Sequence, residues 1–202
     1  ALGCDSLSAV ITHNSIILTV ASGIEYRTKI VKVVRQGVNY DIVSKVARLS
    51  YKAATSTINV QEARDILAKI ESEPVNYDKK SMVVMASLAC GGFSMIFGGD
   101  ILTFVFVFFA ALVGMTCRFL LIKKQFNALL IPLFSAFVAT LAGGVSEFVM
   151  DDSHLVYASS VLFLIPGVQL LNSAEDVIKG HFVVGFTRGF MGILISLSIA
   201  FG

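Results

Sequence analysis

Charge is scarce in this chain: Asp, Glu, Lys and Arg make up 15% of its 202 residues, and the formal net charge is only +2. So small an excess excludes the electrostatic footprint of a nucleic-acid partner. Cysteine is scarce too. Cys4, Cys90 and Cys117 lack metal-ligand spacing and share no segment, so they read as free thiols. His13, His154 and His181 stand far apart, leaving no zinc-type pair and no metal site. There is no Gly-x-Ser-x-Gly elbow and no glycine-rich phosphate loop, so neither an esterase-like hydrolase nor a nucleotide hydrolase is supported, and no cofactor is implied. Asp5, Ser6 and His13 alone suggest nucleophilic chemistry in the charged front of the chain, and no oxyanion-hole motif accompanies them. The chain reads as a non-enzyme.

What is abundant is apolar surface, with 55% hydrophobic residues and a mean hydropathy of +0.80, more than a soluble core needs. It is unevenly placed. Residues 1–80 hold 11 Lys/Arg and 8 Asp/Glu, against 5 and 6 in residues 81–202, so two different solvents are addressed. The expected fold is a membrane protein with an N-terminal α+β cytoplasmic domain (1–80) and a five-helix transmembrane bundle (81–202). The opening Ala1-Leu2-Gly3 has no basic n-region or apolar h-region and is not a signal peptide. It reads as the end of a helix, with glycine at the left-handed cap, whose upstream part is missing.

In the front domain, β-branched and small residues form two strand-like blocks, Ser6 to Ile11 and Ser15 to Val20, around the turn Thr12-His13-Asn14. After a second turn at Ser22-Gly23, Tyr26 to Val34 alternates as a third strand. The period changes after Gly37: Ile42, Val46, Leu49 and Ala53 fall at helical spacing behind Asn39 as N-cap. A second helix runs from about Val60 to Ile70, with Asn59 and Glu62 at capping-box spacing and Glu73-Pro74 as its stop.

A helix crossing a hydrocarbon core of about 30 Å needs about 20 apolar residues. Five stretches come close, at 82–97, 101–122, 126–148, 155–172 and 182–201. Lys79, Lys80, Lys123, Lys124 and Lys179 lie at one set of ends; Asp100, Glu147, Asp151 and Asp152 lie at the other. By the positive-inside rule the soluble domain is cytoplasmic and Gly202 lies outside. An odd number of spans suits one half of an inverted-repeat transporter. Gly185, Gly189 and Gly192 share a face of the last stretch, as do Ala110 and Gly114 in the second, the small-residue pattern of close helix packing.

The fourth stretch carries the chemistry. Pro166-Gly167 interrupts it, and proline should free the carbonyl of Leu162 and kink or break the helix. Beyond the break, Gln169, Asn172, Ser173 and Asp176 fall on one helix face, a polar stripe that is unfavourable against lipid. Two readings compete: a substrate or gating surface, or a kinked helix whose polar end emerges into the cytoplasm, the reading preferred for Glu175 and Lys179. Arg118 and Arg188 likewise either snorkel to the headgroups or bind a carboxylate in bidentate fashion at the inner mouth. Asn172 suits hydrogen bonding to substrate, whereas Asp176, which would repel a carboxylate, suits a proton carrier or the gate partner of Arg188.

Ile165-Pro166-Gly167 followed by Asn172, Asp176, Gly180 and Arg188 resembles the signature of the threonine/serine exporter (ThrE-type) family in its N-terminal half. The opening Ala1-Leu2-Gly3, Asp5-Ser6, Asn14, Ile16 and Leu18-Thr19 resembles the start of the same unit, and most closely its YjjP-type branch, in which the halves are separate subunits implicated in succinate export. The resemblance spans essentially the whole chain. It implies a secondary exporter of small carboxylates, amino acids such as threonine and serine or dicarboxylates such as succinate, in the bacterial inner membrane. It also implies a second transmembrane half, fused or separate (a YjjB-type subunit); a homo-oligomer is the other way to enclose the stripe. The rival expectation is a non-transporting membrane sensor or assembly scaffold with a ligand-binding cytoplasmic cap.

Overall fold

A computed structural model of the chain describes residues 4–12, 15–33, 39–55, 58–73, 77–150 and 153–202. The expected turn residues His13 and Asn14, Gly37, Pro74, Asp151, Asp152 and the Ala1-Leu2-Gly3 helix end lie outside them. The chain divides into two units, Ala1–Asn76 and Tyr77–Gly202.

In the first unit, β1 (Ser6–Ile11), β2 (Ser15–Ser22) and β3 (Glu25–Lys32) form an antiparallel meander in that order. Ser22 pairs with Glu25, so the β2–β3 hairpin turns on Gly23-Ile24 alone. Gly23 has φ +59, as a two-residue hairpin loop demands, and its N–H donates to the Asp5 carboxylate at 2.6 Å. Asp5 thus serves the turn. Two helices follow, α1 (Tyr40–Thr55) and α2 (Val60–Ser72). Asn39 Oδ1 accepts from the Asp41 amide at 3.1 Å, and Asn59 Oδ1 from the Gln61 amide at 3.4 Å, so both asparagines cap as their spacing suggests. Glu73 is extended (φ −67, ψ 133), the conformation imposed on a residue that precedes proline. The apolar stripe of α1 is only half covered: Leu49 and Ala53 are half-buried, while Ile42 and Val46 stay exposed. Lys45 links Asp41 of its own helix, at 2.7 Å, to Glu73 after α2.

The second unit is helical. It runs α3 (Lys79–Ile96), α4 (Ile101–Lys123), α5 (Leu130–Gly143) with a 3-10 turn over Gly144–Phe148, α6 (His154–Ser160), a 3-10 turn over Leu162–Leu164, α7 (Gly167–Ile178) and α8 (Phe182–Ala200). Among the described residues three helices are long and apolar enough to cross a membrane: Ile101–Lys123, Leu130–Phe148 and Phe182–Ala200. A fourth exists only if His154–Leu164 and Gly167–Ile178, bent by 63°, count as one span. The expected five go beyond this, because the 18 residues of α3 open with Lys79 and Lys80, which dilute an already short apolar run.

The core gathers Cys90, Val107, Ala111 and Val156, with Phe106, Met150, Leu162 and Phe163 packed against it. Three buried hydroxyls of α3 and α5 are satisfied within their own helices: Ser87 donates to the Val83 carbonyl at 2.8 Å, Ser94 to Gly91 at 2.7 Å and Ser135 to Ile131 at 2.7 Å. Small, self-satisfied residues let α3, α4 and α5 approach closely where no hydrophobic force drives helices together.

Candidate functional site

The break in the fourth stretch begins before the proline. α6 stops at Ser160 and tightens into the 3-10 turn, where the Leu164 amide donates to the Val161 carbonyl at 2.9 Å and the Ile165 amide to the Leu162 carbonyl at 3.2 Å. Leu162, the expected orphan, is therefore satisfied. The tighter winding moves the orphan on by one residue: the Gly167 amide folds back onto the Ile165 carbonyl at 2.9 Å and leaves the Phe163 carbonyl without the partner that continuous helix would supply. Arg118, from α4, donates to that carbonyl at 3.0 Å. Its guanidinium is turned inward to backbone, where the sequence left snorkelling and carboxylate binding open.

Downstream, α7 starts at Gly167 with Pro166 as its cap residue and no side chain capping it. A β-carbon added at Gly167 would meet nothing within 4 Å, so the glycine is not there for close packing within this chain. α7 packs on α8, and the turn between them is a Schellman motif. The His181 amide donates to the Asp176 carbonyl at 2.8 Å and the Gly180 amide to the Val177 carbonyl at 3.0 Å. Gly180 has φ +83, a conformation that disfavours any side chain. The glycine face of α8 closes against α7. β-carbons at Gly185, Gly189 and Gly192 would lie 2.7 Å from Val177 Cγ2, 2.6 Å from Ser173 Oγ and 2.7 Å from Leu170 Cδ2. Ser173 Oγ donates to the Gly185 carbonyl at 2.7 Å, a bond that only so close an approach allows.

This hairpin joins two of the candidate residues. Arg188 Nη1 donates to Asp176 Oδ2 at 2.5 Å, with side-chain exposures of 34% and 19%. The pair is half withdrawn from water, where charge attraction is stronger than at an open surface and an unmatched partner costs more. On the same helix face, Gln169 Oε1 is buried with no hydrogen-bond partner. Asn172 is half-buried, and its carboxamide makes no hydrogen bond among the described residues. The stripe thus carries one member of an ion pair, one buried carboxamide oxygen without a partner and one half-buried asparagine. Glu175 and Lys179 pair with each other at 2.5 Å on the exposed side.

The structure therefore brings Gln169, Asn172, Asp176 and Arg188 to one hairpin, puts Pro166-Gly167 at its root, and places Arg118 across the break, on Phe163. The sequence reading missed Phe163 and the Ser173–Gly185 bond. Ser173 was visible as part of the stripe, but a backbone carbonyl leaves no signal in residue identity.

The family profile described as "Putative threonine/serine exporter" matches residues 1–202. Two curated relatives, from Klebsiella aerogenes and Escherichia coli, both bear the description "Probable succinate transporter subunit YjjP". They are 29% and 28% identical over 205 aligned positions, covering 100% of this chain and 79% of each relative. No solved structure gives a match.

Proposed function

Since the chain belongs to the threonine/serine exporter family, we propose that it is one half of a secondary exporter of small carboxylates and that the α7–α8 hairpin carries its gate. The observation behind this reading is the half-buried Arg188–Asp176 pair beside the buried, unsatisfied Gln169 Oε1 and the half-buried Asn172. A substrate carboxylate and Asp176 are rivals for the same guanidinium. With Asp176 charged, Arg188 is occupied and the gate is closed. Protonation of Asp176 weakens its hold, and the guanidinium is free to take a carboxylate in the bidentate manner that suits it. Asn172 and Gln169 then supply the hydrogen bonds that the stripe lacks, and Asp176 carries the proton.

The second half is a separate subunit of the YjjB type, in keeping with the word "subunit" in the relatives' descriptions. An open stripe at membrane depth needs further helices to enclose it. In this reading α3 is a fifth, short span, the membrane is the bacterial inner membrane, and the first unit lies in the cytoplasm with the lysine-bearing loops. Threonine, serine and succinate are the candidate substrates. Counterflow in proteoliposomes with labelled threonine, serine and succinate, with and without the second-half subunit, tests it. Exchange of at least one of them, dependent on the second subunit, is expected. Purification of this chain as a lone, transport-active monomer would remove the half-unit reading, and absence of exchange under all conditions would remove the exporter reading.

A further inference from the structure

Phe163 is held from three sides. Its ring fills a niche on α4 and α5 that only a glycine leaves open: a β-carbon at Gly114 would lie 3.0 Å from Phe163 Cζ and 2.7 Å from Ala139 Cβ. One helical turn along the same face of α4, Arg118 donates to the Phe163 carbonyl at 3.0 Å. From α3, the Cys90 sulfur accepts a hydrogen bond from the Phe163 backbone amide, and Cys90 is 4% exposed. The upstream half of the broken span is thus fastened to the α3–α4–α5 core, on which α6 packs. The downstream half behaves differently. Among the described elements α7 packs extensively on α8 alone and is joined to α5 through α8, and the space around Gly167 is open.

We propose that Arg118 is a positioning residue: it pins the carbonyl orphaned by the Pro166 break to α4, and so makes Ile165-Pro166-Gly167 the fixed pivot on which the α7–α8 hairpin swings. The swing rests on the exporter reading; the clamp does not. At membrane depth an orphaned carbonyl has no water to turn to, and a guanidinium reaches it with donors to spare, whereas Lys offers a single-point ammonium on a different stem. Without the clamp the Phe163 turn loosens, the pivot wanders, and the gate pair meets less often in register. Substrate affinity, set on the far side of the break, is not Arg118's task.

Cys90 is a built-in reporter, because it rests on the backbone of the residue whose carbonyl Arg118 holds. In Cys4→Ser/Cys117→Ser protein reconstituted with the second-half subunit, the labelling rate of Cys90 by N-ethylmaleimide is compared among Arg118, Arg118→Lys and Arg118→Gln. The clamp predicts slow labelling for Arg118, about threefold faster for Lys and at least about tenfold faster for Gln, in line with loss of a charge-assisted hydrogen bond. In counterflow the Gln variant should lose kcat with KM within about twofold, and Lys should restore part of kcat. Equal labelling of Arg and Gln variants overturns the proposal. So does unchanged labelling with a KM raised tenfold or more, which would make Arg118 a carboxylate ligand. If the Gln variant fails to insert, the Lys variant decides by the same comparison, and labelling equal to Arg118 overturns the clamp. If no carboxylate exchanges at all, the exporter reading falls while the labelling still judges the clamp.

Discussion

Asp176 meets Arg188 through its side chain, at 2.5 Å, and ends helix α7 through its backbone, where its carbonyl accepts the His181 amide at 2.8 Å. One residue therefore both builds the hairpin and carries its ion pair, so the turn geometry and the ion-pair geometry are a single feature.

The first prediction follows from the turn. Gly180→Ala forces a β-carbon into a left-handed conformation, at a cost of about 1–2 kcal/mol. A lowered thermal unfolding midpoint is expected, together with slower counterflow, because Asp176 and Arg188 are no longer delivered to each other. A variant with unchanged midpoint and transport would show that the Schellman turn does not set the pair.

The glycine face of α8 should respond in a graded way. At Gly185 an added β-carbon meets the Ser173 carbonyl at 2.9 Å as well as Val177, whereas at Gly192 its neighbour is the end of the Leu170 side chain. Backbone cannot step aside as a leucine methyl can. Gly185→Ala should therefore destabilise by about 1–3 kcal/mol and Gly192→Ala by less than about 1 kcal/mol, read as unfolding in detergent. The reverse order would contradict the packing described.

Gly167 separates packing from function. Since a β-carbon there meets nothing within 4 Å, Gly167→Leu should insert and unfold like the wild type. Under the proposed exporter reading, in which substrate or the other half approaches the root of the hairpin through that open space, transport with the second-half subunit should nevertheless fall about tenfold or more. Full activity in that variant would take the break out of the transport path.

Much of this was legible in residue order. Asn39, Asn59, Gly23 and Pro166-Gly167 announce caps, a turn and a break because each acts through its own local chemistry, and the helical spacing of Gln169, Asn172, Ser173 and Asp176 put on one face of α7 the residues that carry the ion pair and the buried carboxamide. Two things were not legible. The orphaned carbonyl moved from Leu162 to Phe163 because the chain tightened into a 3-10 turn before the proline, so that the donor Pro166 lacks is the one due three residues back instead of four. And Ile42 and Val46 remain exposed although their spacing marks them as a buried stripe, since periodicity says which residues share a face but not whether that face finds a partner.

A pH prediction concerns Asp100, the cap of α4. Its carboxylate accepts from the Thr103 amide at 2.8 Å and hydroxyl at 2.7 Å, and these bonds, the amide first, hold its pKa below the usual carboxylate value. A depressed folded pKa contributes stability that is complete above the unfolded value and is lost as pH falls through the folded one. Asp100→Ala should therefore be less stable than wild type at pH 7, with the gap closing below about pH 4. A gap of the same size at pH 7 and pH 3 would contradict the cap.

The central claim is that Arg188 alternates between Asp176 and a substrate carboxylate, and it is tested most directly by the pH dependence of counterflow in the reconstituted two-half exporter for wild type, Asp176→Asn, Arg188→Gln and the exchanged pair Asp176→Arg/Arg188→Asp. The account predicts that Asp176→Asn flattens the pH profile and leaves KM at or below the wild-type value, that Arg188→Gln raises KM by about five- to hundredfold, and that the exchanged pair restores insertion and stability without restoring transport. A wild-type pH profile in Asp176→Asn together with a wild-type KM in Arg188→Gln would contradict it.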